Sequence, residues 1–155
     1  MTELEVSAYK FRTAIETAIA SGEQDNFFRK FPVGQCGHTT DMLIQFLLDQ
    51  GFQHVFYVNG IYHGDDVDNE DGADNRWRHT WLEHNGIIAD ITGDQFKNHQ
   101  LPLKYDVPVY VGPIDEWHKQ FAFEHGSYYE HHGIEKSWSN YYDLVHWYEI
   151  IKKYL

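Results

Sequence analysis

The chain has 155 residues, 42% hydrophobic and 23% charged, which suits one domain and excludes a disordered tail, a collagen-like rod and a coiled coil. Its 24 acidic and 12 basic side chains give a formal charge of −12, a surface that repels phosphate backbones and anionic lipids, so neither nucleic acid nor membrane is expected as a partner. The single cysteine, Cys36, excludes an internally disulfide-stapled scaffold.

The opening MTELEVSAYKF has no signal-peptide core, and no apolar run approaches the roughly 20 residues of a membrane span, so a cytoplasmic protein is expected. Glu3–Ala20 reads as a helix with Val6, Tyr9, Phe11, Ala14, Ile15 and Ala18 near one face, stopped at Gly22. Asn26–Val33 reads as a connector. Cys36–Gln50 reads as a second helix, its Met42, Leu43, Phe46 and Leu47 recurring at helical spacing before a capping Gly51. Gln53–Asn59 is expected to be a strand, and Gly64–Asn75 an acidic loop. That loop is not an EF-hand, because placing Gly72 at the required turn would put Val67 on the first ligand position. Trp77–Thr92 reads as a hairpin turning at Asn85-Gly86, Val107–Val111 as a short strand, and Asn140–Leu155 as a helix with Leu144, Trp147, Ile150 and Ile151 on one stripe. Helices, then strands, then a helix predict an α+β domain over residues 1–155, with an antiparallel sheet.

Two local patterns carry chemistry. Cys36 opens the second helix, where unpaired N–H groups and the positive end of the helix dipole favour thiolate over thiol. An inert core thiol is the competing reading, since free cysteines are among the most buried residue types. The Asn85-Gly86 turn fixes the hairpin register. It puts Thr80, Leu82, Ile87, Ala89 and Ile91 on one face and His79, Trp81, Glu83, Ile88, Asp90 and Thr92 on the other. His79 and Asp90 become diagonal neighbours, with Cα atoms roughly 7–8 Å apart, a span their side chains can bridge. A carboxylate on one imidazole nitrogen leaves the other to act on a thiol. A surface His/Asp pair accounts equally well for this pattern.

Gly34-Gln35-Cys36, His79-Thr80-Trp81-Leu82-Glu83 and Asp90-Ile91-Thr92 together resemble the core of the transglutaminase-like superfamily, whose fold is related to that of papain-like cysteine peptidases. The resemblance spans roughly Gly34–Thr92, in the family's order of Cys, His and Asp. It implies a nucleophile helix packed on an antiparallel sheet, with Cys36 as nucleophile, His79 as base and Asp90 as orienting acid. Gly37 replaces the tryptophan that usually follows the cysteine in animal transglutaminases, no tryptophan precedes Cys36, and Lys30 stands where papain-like peptidases carry a glutamine. The implied activity is therefore a minimal thiol hydrolase, deamidase or acyl transferase on a peptide or protein amide, with no cofactor and no metal. The Cys36 backbone N–H and the Gln35 side chain are the expected oxyanion donors, and Trp81 the expected wall of the cleft. Asp94 is a second choice for orienting His79, and His38 a second choice of base. Two alternatives stand beside this reading. One is a degenerate binding or immunity-type module with an acidic, aromatic-rich interface, and the other a metal-dependent hydrolase on the His125–His132 segment.

Overall fold

The computed structural model describes residues 1–63 and 77–155, the side chains of 122–125 excepted, so the acidic stretch 64–75 lies outside the described residues. Thr2 begins the first helix, its hydroxyl accepting from the Glu5 N–H at 3.1 Å, and α1 runs Glu3–Ala20. Leu4, Ala8, Phe11, Ile15 and Ala18, spaced at threes and fours, form its buried stripe. That spacing turns Val6 and Tyr9 outward, 48% and 47% exposed, which corrects the expectation that they share the core face. The expected connector contains a short helix, α2 (Asn26–Lys30), because Phe27 and Phe28 bury fully there, Phe27 stacking on Trp147 with ring centres 5.3 Å apart.

Cys36 is the first residue of α3 (Cys36–Asp49), which buries Met42, Leu43, Phe46 and Leu47. Gly51, at φ +96°, closes this helix in the left-handed conformation, with the Phe52 N–H donating to the Leu47 carbonyl at 3.0 Å. The last helix, α4 (Tyr141–Lys152), is shorter at both ends than expected and buries Leu144, Trp147, Tyr148 and Ile151.

Among the described residues, five antiparallel strands follow α3: β1 (Val55–Tyr62), β2 (Arg78–His84), β3 (Ile87–Asp90), β4 (Tyr110–Gly112) and β5 (Phe121–Glu130), in the spatial order β4-β3-β2-β1-β5. The α+β class agrees with the sequence reading. So does the hairpin: Leu82 faces Ala89, Glu83 faces Ile88 and His84 faces Ile87, with Asn85 at φ 52° and Gly86 at φ 78°. β5 was not anticipated. It pairs with β1 through a register shift between Asn59 and Ile61. A Cβ at Gly126 would collide with the Asn59 carbonyl, and one at Gly60 would come within 2.7 Å of Phe121 Cβ, so both positions need glycine.

The sheet is buried on both faces. On one, Val55, Leu82, Ala89 and Ile91 meet α1, α3 and α4 in the larger core. On the other, Val58, Trp81, Ile88, Phe96, Leu103 and Phe121 form a smaller core closed by Tyr105 and Trp117. Among the described residues no helix is long and apolar enough to cross a membrane.

Candidate active site

The hairpin register brings His79 and Asp90 together in this smaller core. Nε2–H of His79 donates to Oδ2 of Asp90 at 2.7 Å, and the two are 0% and 1% exposed. Phe96 and Trp117 stand edge-on to the imidazole, with ring centres 5.2 and 5.5 Å away, so the ring is fixed by packing as well as by its hydrogen bonds. Cys36, half-buried at the start of α3, completes the cluster. Burial pushes its thiol pKa up, but hydrogen bonding to His79, the His79 charge, and hydrogen bonds to the Gln95 and Thr80 side chains outweigh that and hold it below the ordinary thiol value. Burial likewise favours neutral His79, yet the charge and hydrogen bond of Asp90, with Cys36 behind them, raise the imidazole well above its usual range. Both shifts ease transfer of the thiol proton to the imidazole.

Asp90 is saturated with donors. Besides His79, Oδ2 accepts from Nε2–H of His118 at 2.8 Å, and Oδ1 accepts from the Thr92 N–H at 2.9 Å. Burial alone would raise its pKa, but the His79 charge and the hydrogen bonds and charge of the two histidines hold it far below the usual carboxylate range. His118 itself is fully buried, and its other nitrogen donates to Oδ1 of Asp115 at 2.6 Å. A continuous hydrogen-bonded chain thus runs Asp115, His118, Asp90, His79, with the Cys36 thiol coupled electrostatically to His79 at its end.

Neither His118 nor Asp115 was singled out from the sequence, and nor was Gln95, whose Nε2–H donates to Nδ1 of His79 at 2.8 Å. Asp115-x-x-His118 carries a local signal of its own, a carboxylate accepting the N–H three residues on at 2.8 Å. Nothing in that signal, however, points to Asp90.

The other expected residues are placed elsewhere. Asp94 does not orient His79, because Arg12 takes both its oxygens, Nη1 to Oδ1 at 2.9 Å and Nη2 to Oδ2 at 2.8 Å. His38 donates to Oε1 of Gln35 at 3.0 Å and packs on Trp147 at 5.3 Å, which engages both His38 and Gln35 on the α4 side of the helix start. Trp81 is 1% exposed and packs at 5.8 Å from His79 and 5.0 Å from His118, so it is core packing beneath the site, not the wall of an open cleft. In the His125–His132 segment, His131 ties the end of β5 to α3. Its Nε2–H donates to Asp41 at 3.0 Å while its Nδ1 accepts from the Gly133 N–H at 2.9 Å, leaving neither nitrogen for a metal.

Among the described residues the grouping with metal-ligand chemistry is instead His79, Asp90 and His118, whose donor atoms lie within 4.8 Å of one another. The 2.7 and 2.8 Å separations from the shared carboxylate oxygen are N–H···O distances. Neighbouring ligands around a tetrahedral zinc with bonds of about 2.1 Å stand farther apart, at roughly 3.4 Å, so the cluster as folded fits protons better than an ion.

No family model, curated protein or solved structure matches this chain.

Proposed function

We propose that this chain is a thiol-dependent acyl-transfer enzyme of the transglutaminase-like, papain-related kind, acting on a peptide or protein amide through Cys36, His79 and Asp90. One observation carries the reading: Asp90 holds Nε2 of a fully buried imidazole at 2.7 Å, so that Nδ1, met by the Gln95 amide at 2.8 Å, is the nitrogen that can serve the thiol. A surface His/Asp pair would not be buried, saturated with donors and coupled to the only cysteine.

In the reaction, Nδ1 of His79 takes the Cys36 proton and the sulfur bonds to the substrate carbonyl carbon, sending the π electron pair to oxygen. The Cys36 backbone N–H, in the first turn of α3 where helical N–H groups lack intrahelical partners, donates to that oxyanion. Collapse re-forms the carbonyl and breaks the C–N bond, and His79 gives its proton to the departing amine. Water or a second amine then attacks the thioester, again through His79, and frees the thiol. Hydrolysis, deamidation of a glutamine side chain and amine transfer differ only in which amine leaves and which nucleophile resolves the thioester.

Iodoacetamide tests the nucleophile. At pH 6.5 an ordinary thiol is about 1% thiolate, so a lowered pKa raises the reactive fraction by at most ~100-fold, less roughly tenfold in intrinsic nucleophilicity. Cys36 should therefore alkylate faster than a free thiol, by up to about tenfold, and His79→Ala should remove the excess. A wild-type rate at or below that of a free thiol, unchanged in the variant, would refute the proposal.

A further inference from the structure

We infer that the side-chain amide of Gln95 is the second oxyanion donor of this site, an inference that rests on the proposed acyl transfer. Gln95 follows Asp94 in a 3₁₀ turn, Gly93–Phe96, that the bidentate Arg12–Asp94 pair pins to α1. A further hydrogen bond, from Arg12 Nη1 to the Ile91 carbonyl at 2.8 Å, fixes the chain entering the turn. Asp94 and Phe96 are buried on either side, while Gln95 is half-exposed and borders the thiol.

The orientation of its carboxamide is set from the nucleophile loop. The Gly34 N–H donates to Oε1 at 3.3 Å, so the NH2 end faces inward, 2.8 Å from Nδ1 of His79 and on the side where it favours an ionised Cys36 sulfur. A flipped amide would set its NH2 against the Gly34 N–H. The amide therefore has the Nδ1 lone pair as its acceptor at rest, and acylation removes it, because Nδ1 loses that lone pair on taking the thiol proton. The donor is released as negative charge appears on the carbonyl oxygen, beside the Cys36 N–H. Gln35, the donor expected from the sequence, is buried with its Oε1 held by His38.

p-Nitrophenyl acetate and iodoacetamide separate this role from thiol activation, because only the ester passes through an oxyanion. Gln95→Ala and the near-isosteric Gln95→Met should each slow the p-nitrophenolate burst about 10²-fold, the effect of losing one such donor, with iodoacetamide alkylation within about threefold of wild type. A burst within threefold of wild type in both variants overturns the inference. So does a burst that falls only in step with alkylation, which would make Gln95 an aid to thiol ionisation alone. If wild-type Cys36 gives neither a burst nor accelerated alkylation, the acyl-transfer function itself has failed, which the variants cannot mimic.

Discussion

Replacing Asp90 with asparagine changes one oxygen for an NH2 group and almost nothing in volume, yet it reverses the polarity of the buried network. Oδ2 accepts from both His79 and His118, at 2.7 and 2.8 Å, and Oδ1 accepts from the Thr92 N–H at 2.9 Å. An asparagine with its NH2 toward the histidines forces Nε2 of His79 to become the acceptor, which puts the proton on Nδ1 and removes the base. One with its NH2 toward Thr92 sets donor against donor. Either arrangement deprives buried charge of its partner, at a cost of about 3–5 kcal/mol. With a urea slope of ~2 kcal/mol/M, the unfolding midpoint should fall by about 1.5–2.5 M. The wrong tautomer should also lower acyl transfer on the order of 10³–10⁴-fold.

The pH dependence separates this from a generic packing defect. Asp90 has its carboxyl held below the ordinary value, so its stabilisation is complete above the unfolded value of about 3.9 and is lost as pH falls through the folded one. The imidazole of His79 is raised, so its stabilisation is complete below about 6.5 and is lost as pH rises toward the folded value. Wild-type stability should therefore be greatest near pH 4–6.5 with respect to this pair and decline on both sides. Asp90→Asn should flatten both slopes. Urea titrations from pH 3 to 9, with circular dichroism confirming the folded baseline, read the effect directly. A variant with the wild-type midpoint, or with the wild-type pH profile merely displaced downward, would refute the argument.

Two further outcomes follow from the surrounding residues. Asp94→Asn leaves the buried Arg12 guanidinium without its full counter-charge and should cost about 3–5 kcal/mol in urea, while slowing the p-nitrophenyl acetate burst more than iodoacetamide alkylation; an unmoved midpoint would dismiss the clamp. Dialysis against a chelator should change neither the alkylation rate nor the urea midpoint, because His79, Asp90 and His118 are joined at hydrogen-bond distances. A 1:1 metal content whose removal lowers either would overturn that hydrogen-bonded arrangement.

What the sequence made legible was local. The hairpin register follows from one Asn-Gly turn and a period of two, so the His79–Asp90 contact could be read from twelve residues of chain. The helices were legible where apolar residues recur at threes and fours and Gly51 closes the turn. Val6 and Tyr9 misled because apolar character alone does not say which stripe wins; Leu4, Ala8, Phe11 and Ile15 make the more regular one. β5 was illegible because Phe121–Glu130 is interrupted by His125 and Gly126, and that glycine serves a backbone approach to Asn59 that no single-strand pattern displays.

The missed site residues have a common physical origin. A carboxylate buried to 1% cannot be held charged by a single imidazole, so Asp90 demands further donors, and the fold supplies His118 from 28 residues away. His118 in turn sets its second N–H against Asp115, a partly exposed carboxylate that connects the buried charges to the surface. The need for such donors can be deduced once Asp90 is known to be buried, but their identity depends on which loop closes the smaller core. Gln95 obeys the same logic. Its position five residues beyond Asp90 is visible, but its direction is set by Arg12 gripping the neighbouring Asp94 across 82 residues of sequence and by the Gly34 N–H across 61. The sequence therefore exposes the groups that would react, while the groups that hold and tune them emerge only from long-range contacts.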